Sequence, residues 1–158
     1  MKFIISGATG FIGKELIKKL NRKGHEIVVL TRNAESAKFN IPVHCKQITW
    51  NPEDQSLSPS ALKGVEAVFN LAGEGIADGR WSSERKRKLI ESRILSTRRL
   101  VDAMAYMENK PKIFVSASAI GFYGSRLDEI LNETESKGNG FLSDICQTNS
   151  AFSFVTVL

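Results

Sequence analysis

Residues 1–13, MKFIISGATGFIG, decide the fold of this chain. The first six are mostly apolar and predict a buried strand, and a helical pattern begins directly after the three glycines. The spacing G-x-x-G-x-x-G between a strand and a helix is typical of a dinucleotide-binding turn. Its glycines permit a tight turn, close approach of the backbone to a pyrophosphate and helix-on-strand packing. We therefore predict that a pyrophosphate meets the backbone of Gly7, Thr9, Gly10, Phe11, Ile12 and Gly13.

Strand and helix patterns alternate along the rest of the chain. Apolar, β-branched runs predict strands at residues 26–31, 43–50, 67–72 and 112–116. Helices are predicted after the glycine turn, after Ser58-Pro59, and after a cap at Ser82 or Ser83. The alternation predicts an α/β fold: a Rossmann-like doubly wound parallel sheet in three α/β/α layers. The inward stripe of the long third helix is predicted to be Ile90, Ile94, Thr97, Val101 and Met104.

Composition limits the class of protein. The chain has 158 residues, 42% hydrophobic and 25% charged, which suits one globular domain. No apolar run approaches the length of about 18 residues that a membrane span needs, and no secretory signal pattern precedes the first strand. Cys45 and Cys146 lie far apart, and His25 and His44 have no partner with metal-ligand spacing. We expect a cytoplasmic protein with reduced thiols, no membrane association and no metal.

The net charge of +5 is concentrated in residues 85–88 (RKRK) and 98–99 (RR). A basic run is compatible with nucleic-acid binding or with a solvated helix face. No recognition motif with interleaved aromatic residues accompanies it, which favours the solvated face.

The end of the second predicted strand bears on the choice of cofactor. NAD-selective sites usually place an acid there to hold the ribose 2′-hydroxyl, whereas this chain has Arg32, between Thr31 and Asn33. A guanidinium pairs with a 2′-phosphate. We therefore predict NADP(H) in preference to NAD(H), the alternative being that Arg32 is a solvated loop residue.

Two further strand ends carry candidate site residues. Small residues follow the fourth strand at Leu71, Ala72 and Gly73, where a backbone can lie against the nicotinamide-side ribose. Ser118 follows the fifth strand, where a hydroxyl can hydrogen-bond a substrate oxygen beside the nicotinamide. The alternatives are strand-to-loop packing for the first group, and serines that satisfy loop backbone groups for the second.

These residues together resemble the short-chain dehydrogenase/reductase superfamily in its extended, epimerase/dehydratase-like form. Residues 70–81 (NLAGEGIADGRW), 91–93 (ESR) and 116–124 (SASAIGFYG) resemble an atypical branch called NAD-dependent epimerase family proteins. That branch is also named sugar-nucleotide epimerase or cell-division inhibitor. The resemblance covers about residues 1–147. It implies cofactor-binding roles for the glycine-turn residues and for Thr31, Arg32, Leu71, Ala72 and Arg93.

The resemblance also implies a catalytic position for Ser118. The usual partner is a Tyr-x-x-x-Lys pair on the next helix, where tyrosine transfers the proton and lysine lowers its pKa. That helix, expected near residues 140–146, contains neither residue type. Tyr106 and Lys110 have the spacing but precede the serine strand, and Tyr123 belongs to the loop motif. The sequence therefore predicts a cofactor site without the standard proton-transfer pair.

The last residues depart from the family. We predict a dinucleotide-binding domain over residues 1–147 and a divergent tail over 148–158, without the usual C-terminal substrate domain. The apolar tail predicts a sixth strand or a non-homologous end, and an apolar end of this kind can pair with a second copy of the chain. Two functions stay open: an NADP(H)-dependent epimerase or oxidoreductase acting on an unknown small molecule, and a non-catalytic dinucleotide-binding regulatory module.

Overall fold

A parallel sheet forms the centre of the chain. The computed structural model describes the backbone of residues 1–150 and 156–157, with side chains as far as residue 148. The strand order is β3-β2-β1-β4-β5-β6, with every neighbouring pair parallel. The strands are β1 (Lys2–Ser6), β2 (Glu26–Thr31), β3 (Lys46–Thr49), β4 (Ala67–Asn70), β5 (Ile113–Ala117) and β6 (Thr156–Val157).

Helices connect the strands and cover both faces of the sheet. They are α1 (Phe11–Arg22), α2 (Ala34–Asn40), α3 (Ser83–Ala105) and α4 (Phe141–Ser150), with 3₁₀ helices over Pro59–Leu62 and Ile120–Tyr123. This architecture confirms the predicted Rossmann-like doubly wound fold.

Neighbouring residues of the central strand face two separate cores, because successive side chains of a strand point to opposite faces. Ile4 is fully buried with Leu100 of α3 and Leu62 of the first 3₁₀ helix. Ile5 is fully buried on the other face with Ile17 of α1 and Ala37 of α2. The two cores hold β1 between helical layers, which explains why its sequence is almost continuously apolar.

Two details of the helices differ from the sequence-based expectations. Helix α2 was not predicted; Asn33 caps it by accepting a hydrogen bond from the Ser36 N–H at 2.9 Å. The predicted stripe of α3 was confirmed at Thr97 but was wrong at its other four positions. The buried residues of the helix are Leu89, Ser96, Thr97, Leu100 and Ala103, while Ile90, Ile94, Val101 and Met104 are only partly buried.

The predicted tail lies largely outside the described residues. Thr156–Val157 pair with Ser116 and Ala117 of β5 as a short sixth strand. Residues 151–155 and 158 are not described, so the boundary at 147 and pairing through the tail stay predictions.

The order of the sheet locates the candidate site. The order in which the strands are added to the sheet changes direction between β1 and β4, since β2 and β3 extend to one side of β1 and β4 and β5 to the other. In open parallel sheets, ligands bind outside the carboxyl ends of the strands at this switch point.

Candidate cofactor-binding site

The glycine turn is packed too closely for side chains at two of its three glycines. Gly7 has φ +70°, and a Cβ there would lie 2.5 Å from the carbonyl carbon of Leu71. A Cβ on Gly13 would overlap the carbonyl oxygen of Gly7. Gly10 differs, because its nearest contact would be Gly7 O at 3.3 Å. Gly7 and Gly13 are therefore needed for packing, whereas Gly10 keeps the space above the turn open.

The first turn of α1 lacks the side-chain cap that other helices of the chain have. Gly10 stands at its N-cap and has no side chain to accept a hydrogen bond from the first turn, whereas Asn33 caps α2 and Ser82 caps α3. The first N–H groups of a helix need acceptors and carry a partial positive charge. Together with the open space at Gly10, this makes the start of α1 suited to a phosphate.

A cavity of about 400 Å³ opens above the turn, at the carboxyl ends of β1, β2 and β4. Most of the predicted cofactor residues lie in its wall: Gly7, Thr9, Gly10, Thr31, Arg32, Leu71, Ala72 and Gly73.

A second cavity of about 150 Å³ continues from the first between β4 and β5. The two share Leu71, Ala72 and Gly73, and the smaller one adds Arg93, Ser118 and Cys146. An extended ligand can therefore pass over the loop after β4, with one end near Arg32 and the other near Ser118.

Three predicted residues do not line either cavity. Phe11 and Ile12 are 88% and 65% exposed at the start of α1, and Gly13 is buried beneath the turn. For these three, only the backbone remains a candidate for contact with a ligand.

Glu74, which the sequence analysis did not single out, is the most extensively bonded residue of the loop after β4. Its N–H donates to Ser92 Oγ at 3.1 Å, and its carbonyl accepts from Arg93 Nη2 at 3.1 Å. Its carboxylate accepts from Arg85 Nη1 at 2.8 Å. This hydrogen bond from Arg85 is the main reason that the pKa of Glu74 lies below its ordinary value, with the charge of Arg32 contributing.

Arg93 supports the same loop from inside. Its second hydrogen bond goes from Nη1 to the Leu89 carbonyl at 3.0 Å. A Cβ on Gly73 would lie 3.2 Å from Arg93 Cζ, so a glycine there lets the guanidinium approach the backbone. Burial lowers the pKa of Arg93 from its ordinary value. Within the described part of the chain no carboxylate lies within ion-pair distance of this guanidinium, which leaves a cation on the wall of the smaller cavity.

Among the described residues that line the smaller cavity with Ser118, none is a tyrosine or a lysine. Helix α4, Phe141–Ser150, contains neither tyrosine nor lysine. Its Ser143 donates to the carbonyls of Phe122 and Gly138, at 2.6 and 2.7 Å, and so fixes the loop that follows β5. Tyr106, the C-cap of α3, is 83% exposed and lines neither cavity.

The structure adds cavity residues that sequence reasoning missed. The larger cavity is also lined by residues from α2 and from the end of β3: Asn33, Ser36, Ala37, Asn40, Trp50, Asn51, Pro52 and Glu53. The sequence did carry a signal for the second group, since residues 50–53 lie at the carboxyl end of the strand predicted over residues 43–50 of the same parallel sheet.

The basic runs lie on α3, where acids of the same helix accompany them. Lys88 pairs with Glu84 at 3.1 Å, and Arg98 lies 4.0 Å from Asp102. Such i,i+4 pairs are typical of a solvated helix face. In the described residues, no helix has the length and apolar character to cross a membrane, and no cluster of three metal-ligating side chains occurs.

The comparisons with known proteins agree with this geometry. The model of the NAD dependent epimerase/dehydratase family matches residues 3–150. The chain belongs to this family. An epimerase family protein of Mycobacterium tuberculosis is 37% identical over 142 residues, covering 90% of this chain and 44% of that protein. The chain thus spans less than half the length of this curated relative.

Solved epimerase-family structures share the fold. The human epimerase family protein SDR39U1 (isoform 2), crystallised with NADPH, matches with a TM-score of 0.79 and 27% identity, over 97% of this chain and 48% of that one. MoeE5 in complex with UDP-glucose and NAD matches with a TM-score of 0.78 and 22% identity, over 97% and 48%. At that identity the second likeness establishes the fold alone.

Proposed function

We propose that this chain is a nicotinamide-dinucleotide-binding member of the epimerase/dehydratase family and prefers NADP(H). The observation that carries the proposal is the uncapped start of α1 beneath an open cavity, with Gly10 leaving room for a pyrophosphate. The family match and the NADPH in the human relative support it.

The cavities suggest how the cofactor lies. The glycine turn and the N–H groups of α1 hold the pyrophosphate, and Arg32 pairs with a 2′-phosphate on the adenosine side. The cofactor then extends over Leu71, Ala72 and Gly73 toward the smaller cavity, where Arg93 supplies a positive charge. There Ser118 donates to, or accepts from, an oxygen of a small-molecule substrate. When bound, the nicotinamide supplies hydride-transfer chemistry.

A second function is a non-catalytic dinucleotide-binding module. It is favoured by the absence of tyrosine and lysine from α4, which leaves the described site without the usual proton-transfer pair. Oxidation of NADPH with a panel of carbonyl compounds distinguishes the two, since only the enzyme consumes the cofactor.

The cofactor preference is tested by titrating NADPH and NADH against the wild-type protein and Arg32→Gln. We expect tighter binding of NADPH by the wild type, and a loss of tenfold or more for NADPH alone in the variant, because a close charge pair with a phosphate is removed. Arg22→Gln removes the same charge at the far end of α1 and serves as the control. Equal or tighter binding of NADH by the wild type contradicts the preference.

A further inference from the structure

Glu74 and Arg32 stand on opposite walls of the larger cavity. Arg32 follows β2 and Glu74 lies in the loop after β4, while β1 and its glycine turn lie between them. Both residues line the same cavity, and the pKa of the Glu74 carboxyl is lowered chiefly by Arg85 and further by the charge of Arg32. A ribose seated beside the glycine turn lies between a cation and an anion.

The position of Glu74 is fixed independently of any ligand. Ser92 and Arg93 hold its backbone, and Arg85 holds carboxylate Oε1. Arg85 also donates to the Gly75 carbonyl at 2.5 Å, which fixes the next residue of the loop. The carboxylate is therefore a preorganised part of the wall rather than a mobile surface group.

A fixed, ionised carboxylate treats the two dinucleotides differently. It accepts hydrogen bonds, which suits a ribose that carries free hydroxyls. It repels a phosphate on the same ribose, because like charges in a partly buried site are poorly screened. Its effect on a 2′-phosphate is thus opposite to that of Arg32.

Resting on the proposed function, we propose that Glu74 is a second selectivity residue of the cofactor cavity, which opposes binding of the 2′-phosphate and so limits the preference that Arg32 creates. The usual acid of an NAD-selective site follows the second strand. Here the acid comes from the opposite wall, after the fourth.

The test compares ligands that differ by the 2′-phosphate alone: NADPH with NADH, and adenosine 2′,5′-bisphosphate with 5′-AMP. Dissociation constants are measured for the wild type, Glu74→Gln and Glu74→Asp. Glu74→Gln keeps an acceptor for Arg85 but removes the charge. We expect it to raise the affinity ratio of phosphorylated to unphosphorylated ligand about threefold to tenfold. Glu74→Asp keeps the charge and should stay near the wild-type ratio.

Asp78→Asn provides the matched control. Asp78 also lies near Arg85, at 4.0 Å, but its side chain is 75% exposed and does not line the cavity. This variant should leave the ratio unchanged, and thermal denaturation checks that each variant is folded.

The outcomes separate the two proposals. A purely structural role for Glu74 weakens all four ligands alike in Glu74→Gln, and an unchanged or lowered ratio overturns the inference while the proposed function stands. A wild-type protein that binds none of the four ligands overturns the proposed function, and with it the selectivity of Glu74.

Discussion

Asn70 at the end of β4 accepts a hydrogen bond of 2.6 Å from Ser6 at the end of β1, directly beneath the candidate cofactor site. The same Asn70 oxygen accepts from Ser96 Oγ at 2.7 Å, and its amide donates to Thr97 Oγ1 at 2.9 Å. All four side chains are buried. Asn70 thus joins two strands and helix α3 in one polar network, which fixes the distance between the walls of the larger cavity.

We predict that Asn70→Ala lowers the free energy of unfolding by about 2–4 kcal/mol. The change removes the shared acceptor of the Ser6 and Ser96 hydroxyls, and an unsatisfied buried polar group costs about 1–3 kcal/mol. Urea denaturation measures the loss. Asn132→Ala, which removes an exposed loop acceptor for Thr134, is the control and should cost far less. Equal stability of the two variants would show that the network does not hold the strands together.

Gly7 and Gly24 distinguish two reasons why a position requires glycine, which are a left-handed backbone and a lack of space for a side chain. Both have φ near +70°, but a Cβ at Gly24 would meet nothing within 4 Å, whereas one at Gly7 would overlap the backbone of Leu71. We expect Gly24→Ala to cost about 1–2 kcal/mol from backbone strain alone. Gly7→Ala should cost a further 1–3 kcal/mol or more from overpacking. Thermal denaturation compares them, and similar costs contradict the close packing of β1 against the loop after β4.

The ion pair of Glu74 with Arg85 predicts a specific dependence of stability on pH. Because the folded protein holds the pKa of Glu74 below 4.5, the pair stabilises the protein above that pH and its contribution is lost as pH falls below it. We expect the wild type to be more stable than Glu74→Gln at pH 7 by up to about 1 kcal/mol, since the pair is partly exposed. The difference should shrink as the pH falls below 4.5, and a difference that grows on acidification is incompatible with this pair.

The sequence predicted the elements whose formation depends on residues that are close together in the chain. Three signals depend only on interactions between residues close together in the chain: the apolar residues of β1, the spacing of the glycines and the Ser82 cap. The structure has a strand, a turn and a helix start at these positions. Alternation of strands and helices then leaves few topologies, because parallel crossovers are right-handed.

The missed features depend on contacts between distant residues. Ser96 looks like a poor core residue in sequence, but its hydroxyl donates to the Asn70 oxygen in the interior. Asn70 also donates to Thr97, which the sequence did place inward, and the two contacts turn the buried face of α3 away from the isoleucines. Glu74 likewise gains its position from Arg85, Ser92 and Arg93, which come 11 to 19 residues later in the chain. The spacing of residues within α3, or within the loop after β4, does not reveal either set of contacts.

The most direct test of the account is the binding of NADPH to Gly10→Val, followed by thermal shift and calorimetric titration. Gly10 has extended backbone angles that valine can adopt, but a Cβ there would lie 3.3 Å from the Gly7 carbonyl oxygen, so we expect a modestly lower melting temperature without ligand. The valine side chain would occupy the space predicted for the pyrophosphate. We expect NADPH to stabilise the wild type and to leave the variant unaffected. Equal binding of NADPH by the two proteins would contradict the placement of the cofactor at the glycine turn.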